Sequence, residues 1–210
     1  MGQEKKYFPA NLSHLCSIIN TYPGLAVEIT RQVIQNCIRG QRTVQNELYR
    51  HYAPVMFMVC QRYANNREDA EDILQEGFIK IFLNLAQYRF NGSFEGWMRK
   101  IFINCALQKY RSQTHLHVIT VGEHHENSSF ADEEITAQLE AKELLCMVQQ
   151  LPTACRVVFN LYVFEGMKHK EIAGSLGISE GTSKSNLFDA RQQLQKAVLK
   201  NNKIAKAIVS

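Results

Sequence analysis

The sequence predicts an all-α protein made of two small helical domains joined by a flexible acidic linker. Apolar residues recur at three- and four-residue steps almost throughout after residue 30, and the alternation typical of strands is scarce. This periodicity fades from Ser112 to about Ile135, where polar and acidic residues dominate. The predicted divisions are an N-terminal extension of unassigned role at 1–30, a first domain at 31–113, a linker at 114–136 and a second domain at 137–202.

The distribution of charge supports this division. Residues 31–113 carry twelve Lys and Arg against seven acids, and residues 143–210 carry nine against five. Residues 114–142 between them carry one base and six acids. Two basic blocks separated by an acidic spacer suit two nucleic-acid-binding domains, although ordinary solvated helix faces would give the same charges.

The first domain begins with a possible short helix around Arg31–Ile38. A helix of about five turns is predicted next. Its apolar stripe begins at Leu48, and Asn65–Asn66 end it. Asn66 or Asp69 can cap the next helix. Its apolar stripe consists of Ala70, Ile73, Leu74, Phe78, Ile81, Phe82 and Leu85. A loop is predicted over Tyr88–Glu95 and a third helix from about Phe94 to Arg111. The inward residues of that helix are Trp97, Met98, Ile101, Phe102 and Cys105.

The second domain is predicted to begin with a helix at Ala137–Gln150. Pro152 is placed as the first residue of the next helix, which runs through Thr153–Phe164. Glu165–Gly166 form a turn, and a helix-turn-helix and a terminal helix to about Lys200 complete the domain.

Spacing carries the helix-turn-helix prediction. Ile172, Ala173 and Leu176 supply a buried first helix, and Gly177 with Ile178 supplies the turn, where Gly permits a positive φ. Ser179 caps the second helix, and Glu180 complements its dipole. The candidates for contact with bases or phosphates are Ser179, Thr182, Ser183, Lys184, Ser185, Asn186 and Arg191. A helical hairpin without DNA contact remains the alternative.

Acidic residues open the second helix of the first domain. The opening turns contain Asp69, Glu71, Asp72 and Glu76, and some of this charge favours the positive helix N-terminus. Asp72, Gln75 and Glu76, however, share one polar face, which suits docking on a basic helical partner.

The third helix and the loop before it predict single-strand binding. Lys100, Asn104, Gln108 and Arg111 form a polar ridge opposite the apolar stripe. Such binding requires aromatic side chains that stack on unpaired nucleobases, beside basic side chains that hold phosphates. Phe90 and Ser93 are the preferred loop candidates, because Phe94 and Trp97 could equally belong to the core.

Other functions find little support. We find no Gly-rich phosphate loop, no HExxH and no nucleophile–base arrangement, so we predict no enzyme, no cofactor, no metal and no small-molecule substrate. None of the six cysteines forms a CxxC pair, which favours reduced core thiols in a cytoplasmic protein. Metal binding is a weak alternative for the histidines of the spacer, His115, His117, His124 and His125. We also predict no membrane span and no signal peptide.

Three segments in succession resemble one family. DAEDILQEGFIKIF, GSFEGWMRKIFINCAL and LPTACRVVFNLYVFEGMKHKEIAGSLGISEGTSKSNL closely resemble the two domains of extracytoplasmic-function (ECF) sigma factors. The resemblance implies a bacterial initiation factor that binds core RNA polymerase and promoter DNA, and an anti-sigma factor, often membrane-anchored, that restrains it.

The resemblance also implies roles for residues. The polymerase would contact Asp69, Asp72, Gln75 and Glu76. The minus-ten element would contact Phe90, Asn91, Ser93, Trp97, Arg99, Lys100, Asn104, Gln108 and Arg111, with one flipped base held by the Tyr88–Glu95 loop. The helix from Ser179 would enter the major groove at the minus-thirty-five element.

Three residues depart from the family pattern. Ser183 stands where an apolar residue such as Val is usual, and Asn186 and Phe188 replace frequent Arg and His. A stand-alone helix-turn-helix regulator is the alternative function, but it would need neither the acidic face nor the aromatic loop. A helical adaptor without DNA contact is disfavoured by the two basic blocks.

Overall fold

The computed structural model describes residues 29–119 and 145–209, with side chains described to residues 112 and 199. All regular structure in these ranges is helical, and the two ranges belong to two compact units. The predicted extension, apart from its last two residues, and the acidic part of the predicted linker lie outside the described residues. Within the described ranges, no helix is both long enough and apolar enough to cross a membrane.

Within residues 29–119, the first unit contains four α-helices and one short 3-10 turn. They are α1 (Arg31–Ile38), α2 (Arg42–Tyr63), α3 (Arg67–Asn84), the 3-10 turn Leu85–Gln87, and α4 (Phe94–Ile119). The predicted starts of α3 and α4 are confirmed, whereas α2 begins six residues before Leu48. Asn66 caps α3 as predicted, because its Oδ1 accepts a hydrogen bond from the Asp69 amide at 2.7 Å.

The core of the first unit lies between α2, α3 and α4. The predicted stripe of α3 is buried except at Phe82, which is half-buried, and Met98, Phe102 and Cys105 of α4 are buried against it. Gly77 lets these two helices approach, since a Cβ atom there would collide with the Phe102 ring. Trp97 and Ile101, predicted to face inward, are half-buried.

The predicted end of the third helix is wrong. Instead of stopping at Arg111, α4 continues to Ile119 and so enters the segment assigned to the linker. Neither Gly nor Pro occurs from Met98 to Val121, so nothing local stops the helix when its apolar stripe fades.

Within residues 145–209, the second unit has a helical segment at 145–149 followed by three helices. They are α5 (Thr153–Val163), α6 (His169–Leu176) and α7 (Glu180–Val209). Pro152 is the N-cap of α5 rather than its first residue, with an extended ψ of 139°. The buried Arg156 joins α5 to the preceding segment through a 2.8 Å hydrogen bond from its guanidinium to the Gln149 carbonyl.

The predicted helix-turn-helix is confirmed in α6 and α7. Gly177 adopts the left-handed conformation, φ 69° and ψ 32°. The Ser179 hydroxyl accepts a hydrogen bond from the Thr182 amide at 3.0 Å and caps α7. The predicted second and terminal helices are one continuous helix. Its buried stripe is Ser183, Leu187, Ala190 and Leu194, which packs with Ile172 and Leu176 of α6.

Candidate nucleic-acid and partner-binding surfaces

The acidic face of α3 is exposed on the first unit. The Asp72 side chain is 71% exposed and that of Glu76 is 45% exposed, and Gln75 is exposed between them. Asp69 is different, since its side chain is only 18% exposed and accepts a hydrogen bond from the Asn65 amide at 3.3 Å. Asp69 therefore helps to fold the start of α3, while the other three side chains are presented to solvent.

Two lysines that the sequence analysis did not single out hold these acids. Lys109 of α4 lies 2.8 Å from the Asp69 carboxylate and 3.0 Å from that of Asp72. Lys80 of α3 lies 2.6 Å from Glu76 and donates to Gln108 Oε1 at 3.2 Å. Partial burial lowers the pKa of Lys109, but the hydrogen bonds and negative charges of the two aspartates together raise that pKa above its ordinary value. A hydrogen bond to Glu76 raises the pKa of Lys80. Both lysines are therefore cationic near neutral pH and neutralise part of the acidic face.

An aromatic cluster fills the loop between the 3-10 turn and α4. Tyr88 lies at its centre, with ring centroids 4.7 Å from Phe90, 5.1 Å from Phe94 and 5.4 Å from Trp97. The Tyr88 hydroxyl donates to the Gly92 carbonyl at 2.8 Å and closes the loop. Sequence analysis did not single out Tyr88 as the residue that closes the loop; its position at the start of the predicted loop was the one signal for this.

The predicted minus-ten contacts in and beside the loop differ in exposure. Phe90 is half-buried, and its φ of 58° is unusual for a bulky residue. Asn91 and Ser93 are exposed, and the Ser93 hydroxyl accepts from the Gly96 amide at 3.1 Å, so it begins α4. Trp97 is half-buried and stacks on the buried Phe94 at 5.5 Å. Phe94 is thus a core residue, whereas Trp97 keeps part of its surface in solvent.

The predicted polar ridge of α4 is exposed. Lys100, Asn104, Gln108 and Arg111 all face solvent, and Arg99 beside them is half-buried. Gln108 accepts from Lys80, and Arg111 Nε donates to the Leu107 carbonyl at 3.3 Å. The ridge therefore runs from the aromatic loop toward the lysines that hold the acidic face.

On α7, most predicted DNA contacts face solvent. Ser179, Thr182, Lys184 and Ser185 are exposed, and Asn186 is half-buried. Arg191 is also half-buried, and its guanidinium lies 5.5 Å from the centre of the Tyr162 ring. Arg191 thus packs within the second unit as well as reaching its surface.

The prediction that Ser183 contacts DNA is wrong for this arrangement. Its side chain is completely buried, and its Oγ lies 2.9 Å from His169 Nδ1 of α6. A four-three-four spacing puts Ser183 on the same face as Leu187, Ala190 and Leu194, so the hydroxyl points into the helix-turn-helix core.

Four of the five described cysteines lack the exposure that a reactive thiol requires. Cys37, Cys60, Cys105 and Cys155 are buried and Cys146 is exposed. Burial raises the pKa of each of the four buried thiols. No cluster of potential metal ligands occurs within the described ranges, and the side chains of the spacer histidines lie outside them.

Comparison with known proteins identifies both units. Residues 48–115 match the family model of sigma-70 region 2, and residues 141–194 match that of sigma-70 region 4. The ECF RNA polymerase sigma factor SigE of Mycolicibacterium smegmatis is 29% identical over 75% of this chain, which spans 62% of that relative's length. The RNA polymerase sigma-H factor of Pseudomonas aeruginosa is 25% identical over 83% of this chain and 96% of its own. The chain belongs to the ECF sigma factors.

The solved structures agree with this fold. A sigma factor RpoE from Bartonella quintana, solved in complex with the anti-sigma factor NepR, gives a TM-score of 0.50 at 18% identity, over 73% of this chain and 95% of its own. In the present chain, region 2 comprises most of α2 together with α3 and most of α4, and region 4 contains the helix-turn-helix. The protein is an alternative sigma factor that directs transcription initiation. Sigma factors are non-enzymatic initiation factors.

Proposed function

We propose that this sigma factor docks on core RNA polymerase through the acidic face of α3 and recognises promoter DNA with two separate surfaces. The observation that carries the proposal is the arrangement within the first unit. Exposed carboxylates on α3 lie beside a polar ridge on α4, and that ridge leads to an aromatic loop. The proposed protein-binding surface and the proposed strand-binding surface thus lie on one pair of packed helices.

The acidic face suits a basic helical partner. Asp72, Gln75 and Glu76 succeed one another at three- and four-residue steps and present carboxylates on either side of an amide. The ion pair of Asp72 with Lys109 and that of Glu76 with Lys80 each include a carboxylate well exposed to solvent, and each therefore contributes little net stability. Cations of the polymerase can replace these lysines at small cost.

The loop and ridge suit an unpaired promoter strand. The left-handed φ of Phe90 is costly for an aromatic residue, and the loop is held by Tyr88 and by Arg31, whose guanidinium lies 5.2 Å from the Phe90 ring centre. Strain maintained in this way supports a role in holding an extruded base. Lys100 and Asn104 would contact the strand that follows.

The exposed face of α7 suits duplex DNA. Lys184 and Ser185 project from the second helix of the helix-turn-helix, the element that enters a major groove in this motif. Promoter melting would then be driven by binding of extruded bases, without hydrolysis. We further propose that the protein works in the cytoplasm and that an anti-sigma factor restrains it by covering the polymerase-facing surface.

A run-off transcription assay tests this function. Purified core polymerase and the full chain should together produce a specific transcript from a promoter selected in the same assay, while neither produces it alone. A chain that binds duplex DNA but yields no transcript with core polymerase would instead be a stand-alone regulator.

Docking is tested by an Asp72→Ala, Glu76→Ala double variant. Affinity for core polymerase should fall about tenfold or more, because charge pairs at protein interfaces commonly contribute above 1.4 kcal/mol. Glu71→Ala is the matched control, since Glu71 is also an exposed, ion-paired acid on α3 but is not part of the proposed docking face. Loss of affinity within a factor of about two for the double variant would contradict the assignment.

A further inference from the structure

An exposed aromatic residue lies on the outward face of α7, in the first third of the helix. The buried stripe of this helix begins at Ser183, and the opposite face contains Gly181, Ser185, Phe188 and Gln192 at the same four-three-four spacing. Phe188 is 60% exposed. A phenyl ring held in water on a helix is not required by the fold, because Leu187 and Ala190 already supply the core contacts on either side of it.

The neighbours of Phe188 define what it could touch. Lys184 and Ser185 lie one turn before it on exposed surface, and they can reach phosphates or base edges. A groove entered by these side chains also receives the ring. Phe188 offers no hydrogen-bond donor or acceptor, so within a major groove its complement is an apolar group, and the 5-methyl of thymine is the apolar group of that groove.

We propose that Phe188 is a specificity-determining residue that contacts the 5-methyl group of a thymine in the upstream duplex element. This inference rests on the proposed duplex-binding role of α7. At this position the base pair is recognised by apolar contact with the ring and not by a hydrogen bond. The promoters of this sigma factor therefore carry a thymine at the base pair that faces Phe188.

The test removes single methyl groups from the DNA. A promoter is selected by run-off transcription from a library randomised in its upstream element, and each thymine there is then replaced in turn by deoxyuridine, which keeps the base pairing. With the unaltered protein, one or two replacements should lower holoenzyme binding about fourfold, the effect of losing one buried methyl group. Phe188→Ala should bind the thymine promoter more weakly and lose this sensitivity to deoxyuridine.

A control variant and a second measurement separate the outcomes. Leu199→Ala removes another exposed apolar side chain from the same face about 16 Å further along α7, and it should keep the sensitivity. Equal sensitivity in the Phe188→Ala variant would overturn the inference. A second outcome would also overturn it: the Phe188→Ala variant binds core polymerase more weakly in the absence of DNA and keeps its sensitivity to deoxyuridine. The ring would then contact protein and not DNA. Failure of the unaltered protein to give any transcript would count against the proposed function instead.

Discussion

Ser183 illustrates how a single buried hydroxyl differs from an exposed one on the same helix. Its neighbours on the inner face of α7 are apolar, and its hydroxyl is satisfied by the His169 ring at 2.9 Å. A buried polar group without such a partner would be destabilising, so Ser183 and His169 depend on each other.

Ser183→Ala should therefore destabilise the second unit without removing a DNA contact. The loss of the hydrogen bond should lower the free energy of unfolding by about 1 kcal/mol. Duplex binding measured well below the unfolding temperature should remain unchanged. Ser185→Ala, at an exposed position two residues on, should do the opposite and weaken duplex binding at unchanged stability. A Ser183→Ala variant of native stability with impaired DNA binding would show that the hydroxyl faces DNA.

The cysteines allow a second prediction for individual residues. In a Cys16→Ser background, which removes the one thiol outside the described residues, an aromatic disulfide reagent near neutral pH should label Cys146 rapidly. The four buried thiols should react only as their units open, because burial both shields them and raises their pKa.

Cys146→Ser should abolish the fast phase of labelling. Rapid labelling of two or more thiols in the native protein would contradict the buried assignment.

The raised pKa values of the buried thiols also have a consequence for stability. Unfolding releases thiol protons once the pH exceeds the ordinary value of 9.0, so stability should decline as the pH rises above it.

For the helices, the crossing of α3 and α4 determines where the two proposed binding surfaces lie. Gly77 permits this close crossing, and Phe102 fills the space against it. The same crossing brings Lys109 to Asp72 and Gln108 to Lys80. Any separation of the helices would therefore disturb both surfaces at once.

Gly77→Ala should destabilise the first unit. Alanine improves helix propensity by up to about 1 kcal/mol, but the collision with Phe102 should cost about 1–3 kcal/mol and dominate. Gly174→Ala is the control in α6, where a Cβ meets nothing within 4 Å, and it should stabilise by about 0.5–1 kcal/mol. Urea unfolding of the full chain checks both values. Adding Phe102→Leu to Gly77→Ala should recover part of the loss, and a neutral effect of Gly77→Ala would mean that the helices are further apart.

In the whole molecule, two units with different DNA-binding surfaces should support separate steps of initiation. Lys184→Ala, in the second unit, should weaken binding to the upstream duplex and reduce its salt dependence by about one ion. Asn104→Ala, in the first unit, should leave duplex binding intact and impair strand opening.

Footprinting of unpaired thymines with permanganate measures strand opening, and a binding assay at several salt concentrations measures the duplex step. Arg191 is unsuitable for this comparison because its contact with Tyr162 makes it part of the fold. Equal loss of both steps in the Lys184→Ala and Asn104→Ala variants would contradict a division of labour between the units.

The helical class, the helix-turn-helix and most helix starts were determined by the sequence alone. They depend on local features: the Asn66 and Ser179 caps, the left-handed Gly177, and apolar spacing within each helix. These interactions span only a few residues, so the order of residues is sufficient to predict them. The continuation of α4 past Arg111 was missed because its apolar stripe ended before the helix did.

Only the tertiary structure decided which polar side chains are available to a partner. Asp72 and Lys109 are 37 residues apart in the chain, and Ser183 and His169 belong to different helices. Whether such pairs meet depends on how each helix is rotated against its neighbours, which the packing of the whole core determines. For that reason Ser183 was mistaken for a DNA contact, and the roles of Lys80 and Lys109 became visible only when the helices were placed together.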